Sequence, residues 1–139
     1  MTDTETILAD GSEAELTVIA TDLAPAAIGP YSQAIRLGDF VFCSGQLPIN
    51  PETQIMGETI AEQAKQAILN LQAVLEAAGS DLAHVVKTTC FMTDLKGFAE
   101  FNAVYAEFFK DNPPARSAVE VKALPKGASI EIEAIAYIL

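Results

Sequence analysis

Residues 129–139, SIEIEAIAYIL, alternate with the period of an extended strand. Ile130, Ile132, Ala134, Ala136 and Ile138 share one face, and Glu131, Glu133, Ile135, Tyr137 and Leu139 share the other. The first face is apolar throughout, and the second turns apolar at Ile135. Such a strand needs cover on both sides. Cover from the chain itself is limited to two helices. Thr59 and Glu62 form a T-x-x-E capping box, in which each side chain serves the other residue's free backbone N–H. Ile60, Ala64, Ala67, Ile68, Leu71, Val74, Leu75 and Ala78 then recur as one apolar stripe, and Gly79 supplies a left-handed cap. Asp94 can cap a second helix with Phe98, Phe101, Val104, Tyr105 and Phe108 inward, stopped by Asn112-Pro113-Pro114.

The remaining strand-like runs are Leu16–Ala20, Gln33–Leu37, Phe40–Ser44, Val85–Met92 and Ser117–Val121. Gly38-Asp39 suits a two-residue hairpin turn. Ala24 to Pro30 and Gly45 to Pro51 read as loops. The order predicts an α+β domain of six strands and two helices. Two helices cover one sheet face, so the second apolar face calls for a partner chain, most simply another copy. Ser117–Val121 and the last strand are expected to pair as a hairpin. A loop over Lys122–Gly127 sets Ala118 opposite Glu131, whereas a tight loop centred on Lys126 moves Glu131 toward Val121.

The chain of 139 residues is one domain's worth, and at 50% hydrophobic it can build a core without metal or disulfide. Lys and Arg number 8 against 19 Asp and Glu, a formal charge of −11 that repels phosphate backbones and disfavours nucleic acid as a ligand. Residues 1–15 carry five acids and no base and read as a solvated, mobile acidic arm preceding a single domain over 16–139. A strand-like extension that pairs with a neighbour is the alternative. The first ten residues lack the basic and apolar regions of a signal peptide, and no apolar stretch reaches membrane-spanning length. Cytoplasm is the expected compartment, with Cys43 and Cys90 as free buried thiols. His84, the only histidine, has no second metal ligand nearby, the cysteines lack C-x-x-C spacing, and the glycines form no phosphate cradle.

Several segments resemble one family in order and spacing: Ala24-Pro25 with Gly29-Pro30-Tyr31-Ser32-Gln33, Cys43-Ser44-Gly45-Gln46, Val86-Lys87-Thr88-Thr89, Phe101-Asn102-Ala103-Val104-Tyr105, Pro114-Ala115-Arg116-Ser117 and Ile130-Glu131-Ile132-Glu133-Ala134. Together they resemble the Rid, or YjgF-like, family across roughly residues 20–139. The resemblance implies a chorismate-mutase-like mixed sheet with two helices on one face, in a homotrimer with ligand clefts between subunits. It also implies hydrolysis of reactive 2-enamine and 2-imine acids, such as 2-aminoacrylate, to 2-oxoacids and ammonia, without cofactor or metal.

On this resemblance Arg116 anchors the substrate carboxylate, since a guanidinium offers a planar fork of donors that lysine cannot reproduce. Glu131 matches the acid credited with holding the attacking water. Alternation alone cannot choose between Glu131 and Glu133; the family position favours Glu131, leaving Glu133 as a solvated or ion-paired residue. Tyr31, Ser44, Gly45 and Asn102 match positions lining the cleft, although Tyr31 can also pack a turn, Ser44 end a strand, and Asn102 tie helices. Ala118 stands where many family deaminases have cysteine. Main-chain contacts survive that change, but a cysteine nucleophile does not. Two other readings remain: a non-catalytic module that binds small 2-oxoacid-like metabolites, and a ribonuclease, which the charge opposes.

Overall fold

The capping box forms as the sequence requires. The Thr59 side chain accepts from the Glu62 amide at 3.1 Å, while a Glu62 carboxylate oxygen accepts from the Thr59 amide at 3.4 Å. Helix α1 (Ile60–Ala77) follows, and Gly79 ends it at φ +90°. Its stripe is fully buried at Ala64, Ala67, Ile68, Leu71, Val74 and Leu75. Asp94 caps a short 3-10 turn, Leu95–Gly97, and α2 (Phe98–Phe108) continues from it with Phe101 and Tyr105 inward.

The computed structural model describes residues 2–7 and 13–139, with side chains from Glu15 onward. Its strands are β1 (Thr2–Ile7), β2 (Glu13–Ile19), β3 (Ala34–Leu37), β4 (Phe40–Gln46), β5 (Val85–Met92), β6 (Ala115–Glu120) and β7 (Ile130–Tyr137). They form one mixed sheet in the order β1-β2-β3-β4-β7-β5-β6. The six expected strands are present, and the hairpin across Gly38-Asp39 pairs Leu37 with Phe40. Two features depart from the sequence reading. Residues 2–7 of the acidic arm pair antiparallel with β2 and add a seventh strand; the rest of the arm before Glu13 lies outside the described residues. An edge strand recruits a partner through backbone groups, whatever the charge of its side chains.

The second departure corrects the expected terminal hairpin. β6 does not pair with β7. It pairs parallel with β5, setting Ala118 beside Cys90, while β7 runs antiparallel between β4 and β5 with Glu131 beside Phe91. The Val121 amide donates to the Met92 carbonyl at 2.8 Å and the Thr93 amide to the Ser129 carbonyl at 3.1 Å. The end of β5 therefore holds both strands apart. The connection between them turns at Pro125–Gly127, where Lys126 sits at φ +59°.

Alternation along β7 comes out as read. Ile130, Ile132, Ala134 and Ala136 are buried beneath the helices, and Glu131, Glu133, Ile135 and Tyr137 face the other way. On that second face Phe40, Phe42, Val119 and Tyr137 stay 41–47% exposed. Among the described residues nothing covers them. Among the described residues no helix is long and apolar enough to cross a membrane.

Buried carboxamides tie irregular segments to this frame. Asn70, on α1, donates to the carbonyls of Leu47 and Ile49, both at 2.9 Å, and accepts from Gln66. Asn70→Leu keeps the volume but strands two carbonyls, so it should lower unfolding free energy by about 2–4 kcal/mol. Urea denaturation would check this, and an unchanged midpoint would contradict it.

Candidate functional site

Along β4 the pairing with β7 slips between Cys43 and Gln46, a bulge that falls on Ser44 and Gly45. Gly45 lies against Glu131. A Cβ built there would meet a carboxylate oxygen of Glu131 at 2.6 Å and its carboxyl carbon at 2.7 Å. The missing side chain thus makes room for the acid. Glu131, Gly45, Ser44 and Tyr31 line one cavity of about 620 Å³. Pro25, Ala26, Ile28, Leu47 and Ile49 also line it, and Glu133, Lys126 and Gln54 bring polar groups. Burial, with the neighbouring Glu133 charge adding to it, raises the pKa of Glu131 above the ordinary glutamate value. Glu133 is exposed and stands in no ion pair among the described residues. Its charge acts on Glu131 instead.

Ser44 lines the cavity, but its hydroxyl proton is already committed. Its Oγ donates to the Ser32 carbonyl at 2.6 Å, which leaves its lone pairs to accept. Tyr31 stands half exposed at the rim.

Arg116, Asn102 and Ala118 lie elsewhere. Parallel pairing sets Arg116 beside Thr88 on the helix face of edge strand β6. There Arg116 donates to the Asn102 Oδ1 at 2.7 Å, and its guanidinium carbon sits 4.7 Å from the Tyr105 ring centre and 5.2 Å from that of Phe98. The side chain is solvent-exposed yet held by one amide oxygen and two aromatic rings. Tyr105 is held in turn by a 2.8 Å bond between its hydroxyl and the fully buried Thr88. Asn102 therefore orients the arginine. Phe98 and Tyr105 were read only as core, yet positions 98, 102 and 105 share one helix face, so the spacing contained the platform. Ala118 packs its methyl against the core.

The sheet thus brings Glu131, Gly45, Ser44 and Tyr31 together and keeps Arg116 apart. Their strands are separated by β5, about 10 Å of backbone at ordinary strand spacing, and the two side chains leave opposite faces. The cysteines are free and buried. Burial pushes Cys43 up to about 12, with Glu133 adding to it, and Cys90 to about 11 despite the nearby Arg116 and Thr88. Neither is a ready nucleophile. Among the described residues no group of three or more His, Cys, Asp or Glu could hold a metal ion, and His84 instead contacts Asp81 at 2.5 Å.

A small mixed sheet with a half-buried glutamate over a glycine bulge and an aromatic-seated arginine at its edge defines a class that comparison with known proteins identifies. The family described as Endoribonuclease L-PSP matches residues 21–138. The RutC family protein y4sK of Sinorhizobium fredii is 56% identical over 118 residues, 84% of this chain and 94% of its own. A 2-iminobutanoate/2-iminopropanoate deaminase of Escherichia coli is 51% identical over 121 residues, 85% of this chain and 94% of its own. The crystal structure of E. coli TdcF with bound serine superposes with a TM-score of 0.86 at 43% identity, covering 88% of this chain and 99% of that one. The chain belongs to this family, the Rid or YjgF-like proteins.

Glu133→Gln removes the charge that helps raise Glu131, so the Glu131 titration should move down toward the ordinary glutamate range. Carboxyl-carbon NMR would follow it. A titration that stays put would show that Glu133 exerts no such influence.

Proposed function

We propose that the protein hydrolyses reactive 2-imino and 2-enamino acids of the 2-aminoacrylate type to 2-oxoacids and ammonia. One observation carries the reading: a guanidinium seated on two aromatic rings, and a glutamate of raised pKa, project from opposite faces of one sheet. A three- or four-carbon substrate touches both only where the β6 edge of one copy meets the cavity of another. The uncovered apolar face supports that packing, and a homotrimer with clefts between subunits is the assembly we propose. The relatives named as deaminases support the chemistry.

In such a cleft Arg116 takes the substrate carboxylate through two parallel N–H donors. An enamine acid first tautomerises to the imine, a proton moving from its nitrogen to the β-carbon, and the imine carbon then faces Glu131 and a water. Glu131 accepts a proton as the water oxygen bonds to that carbon, and the nitrogen is protonated to an amine. The C–N bond breaks as the new hydroxyl proton passes to nitrogen, releasing ammonia and leaving the 2-oxoacid carbonyl. A carboxylate that takes a proton from water can return one to the departing nitrogen. The imine is already electrophilic, so holding substrate and water supplies much of the acceleration. Ser44 contributes an accepting oxygen and Tyr31 closes the rim.

A second reading, metabolite binding without turnover, draws on the neighbour that holds serine. Ligand-dependent thermal stabilisation with no product would favour it. A nuclease reading has the family description behind it, but the charge of −11 opposes it.

A coupled assay separates these. With 2-aminoacrylate generated by a dehydratase, added protein should speed pyruvate release. Arg116→Ala and Arg116→Lys should each lose at least about 100-fold in kcat/KM, as the transition state loses its bidentate anchor, while the melting temperature holds. Full activity in Arg116→Ala would defeat the assignment.

A further inference from the structure

Gln33 lines the cavity, yet both ends of its carboxamide are already bonded to the protein backbone. It is 4% exposed, and its carboxamide is spent on the backbone of the segment before it. Oε1 accepts from the Thr21 amide at 2.7 Å, and Nε2 donates to the carbonyls of Thr21 at 3.1 Å and Pro25 at 2.8 Å. One side chain thus bonds both backbone groups of Thr21, as a neighbouring strand would. Residues 20–33 contain no helix or strand, so ladder bonds do not hold them. Two prolines and Gly29, at φ +118°, shape the segment without fixing it to the sheet. The Gln33 backbone carbonyl accepts from the Ser44 amide at 2.9 Å, and the Ser44 hydroxyl ties Ser32.

We propose that Gln33 is a positioning residue: it staples the Thr21–Ser32 wall to the β4 bulge, which fixes Tyr31 at the rim of the cavity that holds Glu131. Resting on the deaminase reading, this assigns a role to a side chain that touches no substrate. The residue type follows from the bonds. Glutamate would face two carbonyls with no donor, and asparagine is a methylene short. Leaving Thr21 and Pro25 unpaired frees the wall, and a misplaced wall costs binding before it costs the chemical step.

The test compares Gln33→Ala, Gln33→Asn and Gln33→Glu with Ser80→Ala, a control that removes a similar buried bond, the 2.6 Å contact from Ser80 Oγ to the Tyr137 carbonyl, away from the cavity. Each Gln33 variant should lose about ten-fold or more in kcat/KM, mostly through KM, whereas Ser80→Ala should stay within about two-fold. Gln33→Ala combined with Tyr31→Ala should fall no more than about two-fold below Tyr31→Ala alone, because both act through one wall. Multiplying losses, or Gln33 variants that behave like Ser80→Ala, would overturn the proposal. Hydrogen exchange gives a readout independent of turnover. Amides of residues 21–32 should lose protection in Gln33→Asn and keep it in Ser80→Ala, and unchanged protection would also overturn it. Wild-type protein that turns over no imine would sink the deaminase reading, leaving the exchange result to decide this one.

Discussion

The structure depends on β7 being paired along both edges, to β4 on one side and β5 on the other. A strand held on both edges cannot slip by one residue without sending Ile130, Ile132, Ala134 and Ala136 into the open face and two glutamates into the core. Exposing four apolar side chains while burying two carboxylates would cost far more than a domain of this size has to spare. Register is therefore fixed, and with it the position of Glu131. The bulge in β4 then places Gly45, the one residue type with no side chain to displace it, beside the carboxylate.

Glu131 and Arg116 sit in different surroundings. Around Glu131 partial burial, with a like charge adding to it, raises the carboxyl pKa above the ordinary glutamate value. Arg116 lies at the surface instead, where aromatic faces with one amide oxygen remove its freedom without consuming its whole donor fork. An arginine ordered before its ligand arrives loses less side-chain entropy on binding. The two environments require different depths, and one thin sheet supplies them on its two faces. That separation is why the proposed reaction calls for a second copy.

Much of this was legible in the sequence because it depends on local period. The capping box, the helical stripe, the Gly38-Asp39 turn and the two faces of Ser129–Leu139 follow from side-chain spacing alone. Partner choice was not legible. Alternation tells which way Ala118 points but not whether its strand lies beside β7 or β5, and proximity in the chain favoured the wrong neighbour. Residues 2–7 were read first as a solvated arm, with a strand-like extension only as the alternative, for a related reason: strand pairing at an edge is made by backbone groups, and the acidic composition pointed to water. Arg116 and Glu131 came from resemblance. The glycine clearance and the carboxamide staples needed coordinates, since each joins residues far apart in the chain.

The central claim is that the site is divided between copies, and mixing two inactive variants tests it most directly. Arg116→Ala keeps Glu131, and Glu131→Gln keeps Arg116. Unfolded together and refolded, they should form mixed assemblies in which some clefts join an intact arginine to an intact glutamate. Imine hydrolysis should then return to a substantial fraction of wild-type activity, while each variant refolded alone stays inactive. If the mixture is as inactive as its components while mixed assemblies demonstrably form, the arginine and the glutamate do not meet across a boundary between chains, and the account fails.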